Sequence, residues 1–139
     1  MAHWLFKEEP EHYSFADLER DGHTTWDGVS NNLALQNLRK VKTGDSVLFY
    51  HSGSEKAVVG EMRVTGGPRP DPAGEAKLVV VDVEAVRRWP HAVSLARIKE
   101  DPQLTDWDLV RFPRLSIVPV TKVQWNRVHK LSRRSDESS

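Results

Sequence analysis

The run Val47-Leu48-Phe49-Tyr50-His51, followed at once by Ser52-Gly53-Ser54 and then by Ala57-Val58-Val59-Gly60-Glu61-Met62-Arg63-Val64, decides the class of fold. Both apolar runs are short and rich in β-branched and aromatic residues, which is strand chemistry. The small residues between them supply a turn. A connection this short joins antiparallel neighbours, because a parallel pair needs a crossover of a dozen residues or more. Gly60 inside the second run marks a bulge or a close backbone approach.

Working outward, Leu78 to Val86 reads as a central strand that Trp89-Pro90 breaks, and Gly66 to Gly74 reads as a surface loop. Trp4-Leu5-Phe6 is a buried first strand, stopped by Glu8-Glu9-Pro10. Leu115 to Val120 carries Pro119 and so belongs at an edge or a bulge. Helix starts are written at Ser14 with Asp17, at Asn31, at Ser94 and at Thr121, and Asp21-Gly22 closes the first helix early. Trp26-Asp27-Gly28 and Lys42 to Asp45 read as loop and turn. The expected class is α+β: a mostly antiparallel or mixed sheet, closed into a small barrel and flanked by short helices. A doubly wound parallel sheet is the weaker reading, since the crossover helices are too few. One domain is expected over residues 1–131, with 132–139 a disordered polar tail.

The chain has 139 residues, enough for one domain with a substantial core. Lys and Arg number 20 and so do Asp and Glu, so the formal net charge is zero. That excludes a generic polyanion binder working through bulk positive field, though not a local basic patch. Cysteine is absent, which removes disulfides, thiolate metal sites and a thiol nucleophile. No apolar run approaches the ~20 residues that span a bilayer. The start of the chain is charged too early for a signal peptide. A cytoplasmic monomer is expected, with no membrane contact, no metal and no cofactor.

The six histidines at 3, 12, 23, 51, 91 and 129 show no ligand spacing. Gly66-Gly67-Pro68 lacks the Lys-Ser/Thr and following helix of a phosphate loop. Three segments carry more. Trp26-Asp27-Gly28-Val29-Ser30-Asn31-Asn32 sets a stacking face ahead of amides that both donate and accept, as a nucleobase edge requires. The bland alternative makes Trp26 a core plug and Asn31 a helix cap. Tyr50-His51-Ser52 ends a buried strand in hydrogen-bonding groups, or is an ordinary strand end with a satisfied histidine. Arg111-Phe112-Pro113-Arg114-Leu115-Ser116 flanks an aromatic with two guanidiniums suited to phosphate, or with two solvated ones.

The order Trp4-Leu5, Glu9-Pro10, Trp26-Asp27-Gly28-Val29, Asn31, Gly44-Asp45, Phe49-Tyr50-His51-Ser52, Gly60, Arg114-Leu115-Ser116, Pro119-Val120 and Trp125 resembles the EVE domain of the PUA-like superfamily. The resemblance covers about Ala2 to Leu131. It implies a PUA-like β-barrel and a pocket for a modified base, such as modified cytosine, in DNA or RNA, in the manner of the related YTH domains. It implies a binding module rather than an enzyme, with any effector protein supplied in trans. By it, Trp26 walls the pocket, Asn31 reads the base edge with Asn32 also in the pocket, Tyr50, His51 and Ser52 line the mouth, and Leu115 and Ser116 the floor. Arg39, Lys40, Lys42, Arg87, Arg88, Arg111 and Arg114 are the candidate phosphate contacts. One departure stands out: the family's usual Arg-Asn-Tyr after Trp-Asp-Gly-Val is Ser30-Asn31-Asn32 here. Two other functions fit the residues: an enzyme on a nucleoside or small metabolite with His51 as acid/base, and a protein-interaction module with a vestigial pocket.

Overall fold

A computed structural model describes residues 2–74 and 77–133. In chain order the elements are β1 (His3–Glu8), α1 (Phe15–Asp21), β2 (His23–Trp26), α2 (Asn32–Lys40), β3 (Ser46–His51), β4 (Ala57–Pro70), β5 (Val79–Ser94), α3 (Leu95–Glu100), α4 (Asp108–Arg111), β6 (Ile117–Val120) and α5 (Lys122–Ser132). The strands form one sheet in the order β2-β5-β4-β3-β1-β6. Only β1 and β3 run parallel; every other neighbouring pair is antiparallel.

The mixed α+β class is as expected, but the barrel is not closed. β2 and β6 are the two edges, and no ladder joins them among the described residues. The inner strands explain the unbroken apolar runs. Trp4, Leu5 and Phe6 of β1, and Val47 through His51 of β3, are all buried because both faces of the sheet are covered there. Pro119 lies on edge strand β6 opposite Trp4, where a missing N–H costs no inner ladder bond.

Caps were read correctly from the sequence. Ser14 and Asp17 close a capping box on α1, as Thr121 and Gln124 do on α5. Asn31 caps α2 and Ser94 caps α3. The Lys42–Asp45 turn is held by buried Asp45, which accepts from Lys42 N (2.8 Å), Trp4 Nε1 (3.0 Å) and Ala2 N (3.1 Å).

Three element boundaries differ from the sequence reading. β2 lies where only a loop was expected. β4 runs on through Gly66 to Pro70, and β5 runs on through Trp89-Pro90 to Ser94. In both long strands the irregular residues are absorbed by register shifts. Pro90 falls between Arg88 and Val93, a stretch with no partner on β4, so its missing N–H breaks no pairing. Gly60 meets both readings of a strand glycine. The β3–β4 and β4–β5 ladders shift beside it, and a Cβ there would lie 2.6 Å from the Phe15 ring and 2.8 Å from Arg87 O. Of the expected tail, Ser132 and Arg133 finish α5, and 134–139 lie outside the described residues.

Candidate functional site

The parallel pair sets the site. β1 and β3 end side by side, with Lys7 opposite Tyr50 and Glu8 opposite His51. Ser52 N then donates to Glu8 O at 2.9 Å. The segment entering β6 closes on the same end, since Lys7 N donates to Ser116 O (3.0 Å) and Lys7 Nζ to Pro113 O (2.9 Å). The loop from Trp26 to Asn31 completes the ring. Three concavities therefore surround the C-terminal end of β1, and all three segments singled out in the sequence border them.

The first concavity, about 180 Å³, is lined by Glu8, His12, Tyr13, Thr24, Thr25, Trp26 and Asp27. Trp26 is only 4% exposed. Its ring packs 5.5 Å from Phe6 and edge-on to Phe49 at 5.4 Å. It is a core plug whose margin forms the cavity wall, so the two readings of this residue are not exclusive. Tyr13 donates from its hydroxyl to Asp21 (2.9 Å). Burial and that carboxylate push the phenol upward. His12 sits 3.1 Å from Glu8 Oε1, and this hydrogen bond raises the imidazole above its ordinary value. Glu8 and Asp27 thus put two carboxylates at a cavity with aromatic walls.

The second, about 330 Å³, is lined by Asn31, Leu33, Arg111, Phe112, Pro113, Arg114 and Leu115. Phe112 is 42% and Leu33 45% exposed, large apolar faces left open to solvent. Arg111 stacks over the Phe112 ring at 5.2 Å. Among the described residues neither Arg111 nor Arg114 has a carboxylate partner. Asn31 Oδ1 is taken by Ala34 N (3.1 Å), which leaves its amide nitrogen to donate outward. Asn32 is exposed on the first turn of α2 and lines none of the three concavities.

The third, about 210 Å³, is lined by Lys7, Tyr50, Ser52, Gly53, Lys56, Leu95, Lys99, Leu109 and Pro113. Lys7 Nζ lies 5.4 Å over the Tyr50 ring. Burial lowers the Lys7 ammonium to about 8 and pushes the Tyr50 phenol up to about 12.

His51 is not at a mouth. It is 7% exposed, and both ring nitrogens are engaged: Nε2 accepts from Phe15 N (3.0 Å) and Nδ1 faces Glu55 Oε1 (2.8 Å). With its Nε2 lone pair occupied, it is poorly placed to act as a general base. Four of the expected phosphate contacts also lie elsewhere or are already occupied. Arg87 bonds Glu61 (2.8 Å) and Arg88 bonds Glu19. Arg39, which bonds Lys77 O, and Lys40 close the far end of α2, whose nine residues put them about 12 Å from Asn31 along the axis.

The EVE domain family matches residues 2–131. The chain belongs to this family. It is 31% identical to human thymocyte nuclear protein 1, over 94% of this chain and 73% of that protein. The EVE domain superposes on protein Atu2648 from Agrobacterium tumefaciens with a TM-score of 0.92 and 34% identity, covering 100% of this chain and 98% of that one. It superposes on human THYN1 protein in complex with 5-methylcytosine-containing DNA with a TM-score of 0.89 and 29% identity, covering 97% and 99%.

What sequence reasoning missed in this EVE domain are Glu8, His12, Tyr13, Lys7, Lys56 and Lys99 as lining residues. The signal was partial. Lys7 directly follows the buried run Trp4-Leu5-Phe6 and stays within the same strand, where a charged side chain is unusual. Lys56 and Lys99 are 43 residues apart, and nothing local in the sequence joins them.

Proposed function

We propose that this EVE domain binds a modified cytosine in nucleic acid, with the base in the Trp26–Tyr13–Glu8–Asp27 cavity. The observation that carries the reading is the chemistry of that cavity. It is sized for one pyrimidine, has aromatic walls, and offers two carboxylates. A carboxylate accepts from the cytosine 4-amino group, the edge that distinguishes this base. A base taken out of its stack must regain stacking and edge hydrogen bonds in the protein. The neighbouring concavity supports the same reading. Phe112 gives a face for a flanking base, worth roughly 1–3 kcal/mol. Asn31, Arg111 and Arg114 are free to meet phosphate, while Leu115 and Ser116 hold the segment that carries them. DNA is favoured over RNA because the human relative was solved with DNA. The protein acts as a cytoplasmic monomer in this reading.

The test is a titration with short DNA and RNA strands carrying cytosine, 5-methylcytosine, 5-hydroxymethylcytosine or N6-methyladenine, at two salt concentrations. A preference for one modified cytosine that survives the higher salt, and that Glu8→Gln with Asp27→Asn abolishes, is expected. Equal, salt-sensitive binding to all strands would overturn the assignment, because phosphate contacts alone fade with salt.

A further inference from the structure

Three lysines line the third concavity from three separate elements: Lys7 from β1, and the exposed Lys56 from the β3–β4 turn and Lys99 from α3. Among the described residues none of the three has a carboxylate partner. Lys7 carries its charge against the cost of partial burial, and no carboxylate offsets that cost. The turn is also held in place with some strain. Lys56 adopts φ 50°, the left-handed region that non-glycine residues avoid. Its carbonyl accepts from Leu95 N at 2.8 Å, which ties the turn to the start of α3 and so brings Lys56 and Lys99 together. Lys7 Nζ spends one N–H on Pro113 O and has two to offer. Ser52, beside it, adds a hydroxyl.

Compact ammonium groups arranged around a small cavity suit a tetrahedral oxyanion, whereas a planar carboxylate is better met by an arginine fork. Lys7 and Glu8 are consecutive on β1, and successive strand side chains point to opposite sides. Lys7 therefore lines the lysine cleft while Glu8 lines the Trp26 cavity, one residue away. We propose that the Lys7–Lys56–Lys99 cleft is a phosphate subsite, taking a backbone phosphate of the strand whose base enters the Trp26 cavity. The proposal rests on the base-binding reading for its neighbour, but its own evidence is the lysine geometry.

The experiment uses the full chain and a Lys56→Ala/Lys99→Ala variant, both exposed positions. Affinity for a 5-methylcytosine DNA strand is measured between 50 and 200 mM salt. Removing one phosphate-binding cation should flatten the log–log salt dependence by about one unit. Between these salt concentrations the affinity of the variant should therefore fall by about fourfold less than that of the wild type. Its ratio of methylated to unmodified binding should be unchanged. An Arg39→Ala/Lys40→Ala control, at the far end of α2, should keep the wild-type slope. In a second arm, 5-methyldeoxycytidine 5′-monophosphate and inorganic phosphate are titrated against the Ser52 and Gly53 amide resonances. An unchanged slope in the lysine variant overturns the subsite. If only the free monophosphate responds while the strand slope holds, the cleft serves a free nucleotide and the strand assignment is overturned. A wild type without base preference but with the expected slope change would sink the base reading and leave the phosphate subsite standing.

Discussion

Glu61 shows how one carboxylate can join distant parts of the chain. It accepts from Trp89 Nε1 (2.7 Å) and Arg87 Nε (2.8 Å) on β5, and faces His129 Nε2 (3.1 Å) on α5. Burial alone would raise its carboxyl, but the hydrogen bonds from His129, Trp89 and Arg87 outweigh this and hold it at about 2. A carboxylate lowered on folding stabilises above its unfolded value near 4.5, and that contribution vanishes as pH falls toward 2. The shift corresponds to on the order of 3 kcal/mol. Denaturant titrations of wild type and Glu61→Gln should therefore differ at pH 7 and converge near pH 2; parallel curves would refute the role. Lys7 has the opposite sign. Its ammonium is held at about 8 against an ordinary 10.5, so burying the charge costs stability below pH 8. As pH rises from 8 the native state loses its proton first, and stability climbs. Lys7→Met should raise the melting temperature at pH 7 and remove that climb between pH 8 and 9, before the Tyr50 phenol of the unfolded chain, with its ordinary value of 10.0, begins to titrate. A variant less stable than wild type at pH 7 would show that Lys7 is instead held favourably. Trp26 needs equal care. Truncation to Ala would open a core cavity costing about 3–5 kcal/mol, so a weaker-binding variant would say nothing about stacking.

At the scale of elements, much of the architecture was legible because local chemistry dictates it. The caps at Ser14, Asn31, Ser94 and Thr121 and the edge position of Pro119 each follow from one residue's own hydrogen-bonding capacity, and the β3–β4 hairpin from two apolar runs joined by a short turn. The misreadings were at places where tertiary pairing overrides a local breaker. Gly66 to Pro70 and Trp89-Pro90 stay in strands because bulges absorb them, and His23-Thr24-Thr25-Trp26 becomes β2 only because β5 supplies the ladder. The Thr-Thr-Trp run was the available strand signal. Asn31 joins this scale to function, for it caps α2 and borders the second concavity. Asn31→Ala should cost about 1 kcal/mol of stability by removing the cap. Asn31→Asp retains the capping oxygen and adds a charge suited to a helix N-terminus. It removes the outward donor and repels phosphate. The Asp variant should melt with the wild type yet bind DNA more weakly; equal binding would reduce Asn31 to a cap.

For the whole molecule, zero net charge conceals an uneven distribution. Arg20, Arg63, Arg69, Arg87, Arg88 and Arg127 are each matched to a carboxylate. The cations without such a match among the lining residues are Lys7, Lys56, Lys99, Arg111 and Arg114, all around the end of β1. The sequence offered all these residues as equals, since pairing across strands is invisible in one dimension. That is why Arg87 and Arg88 looked like phosphate ligands and Lys99 did not. The same asymmetry predicts the electrostatics of binding. If phosphate is met only at the five unmatched cations, the salt slope has a ceiling set by their number. That ceiling is about −3.5 for a single strand and −4.5 for a duplex, reached only if each cation meets its own phosphate. Non-specific DNA should bind weakly, because the matched arginines present little net field to a distant polyanion. Removing a matched pair in one step, as in Arg88→Ala with Glu19→Ala, should leave both slope and affinity unchanged. A slope well beyond the ceiling, or one that falls with the Arg88–Glu19 pair removed, would mean that the surface at large holds the nucleic acid and that the ring around β1 is not its footprint.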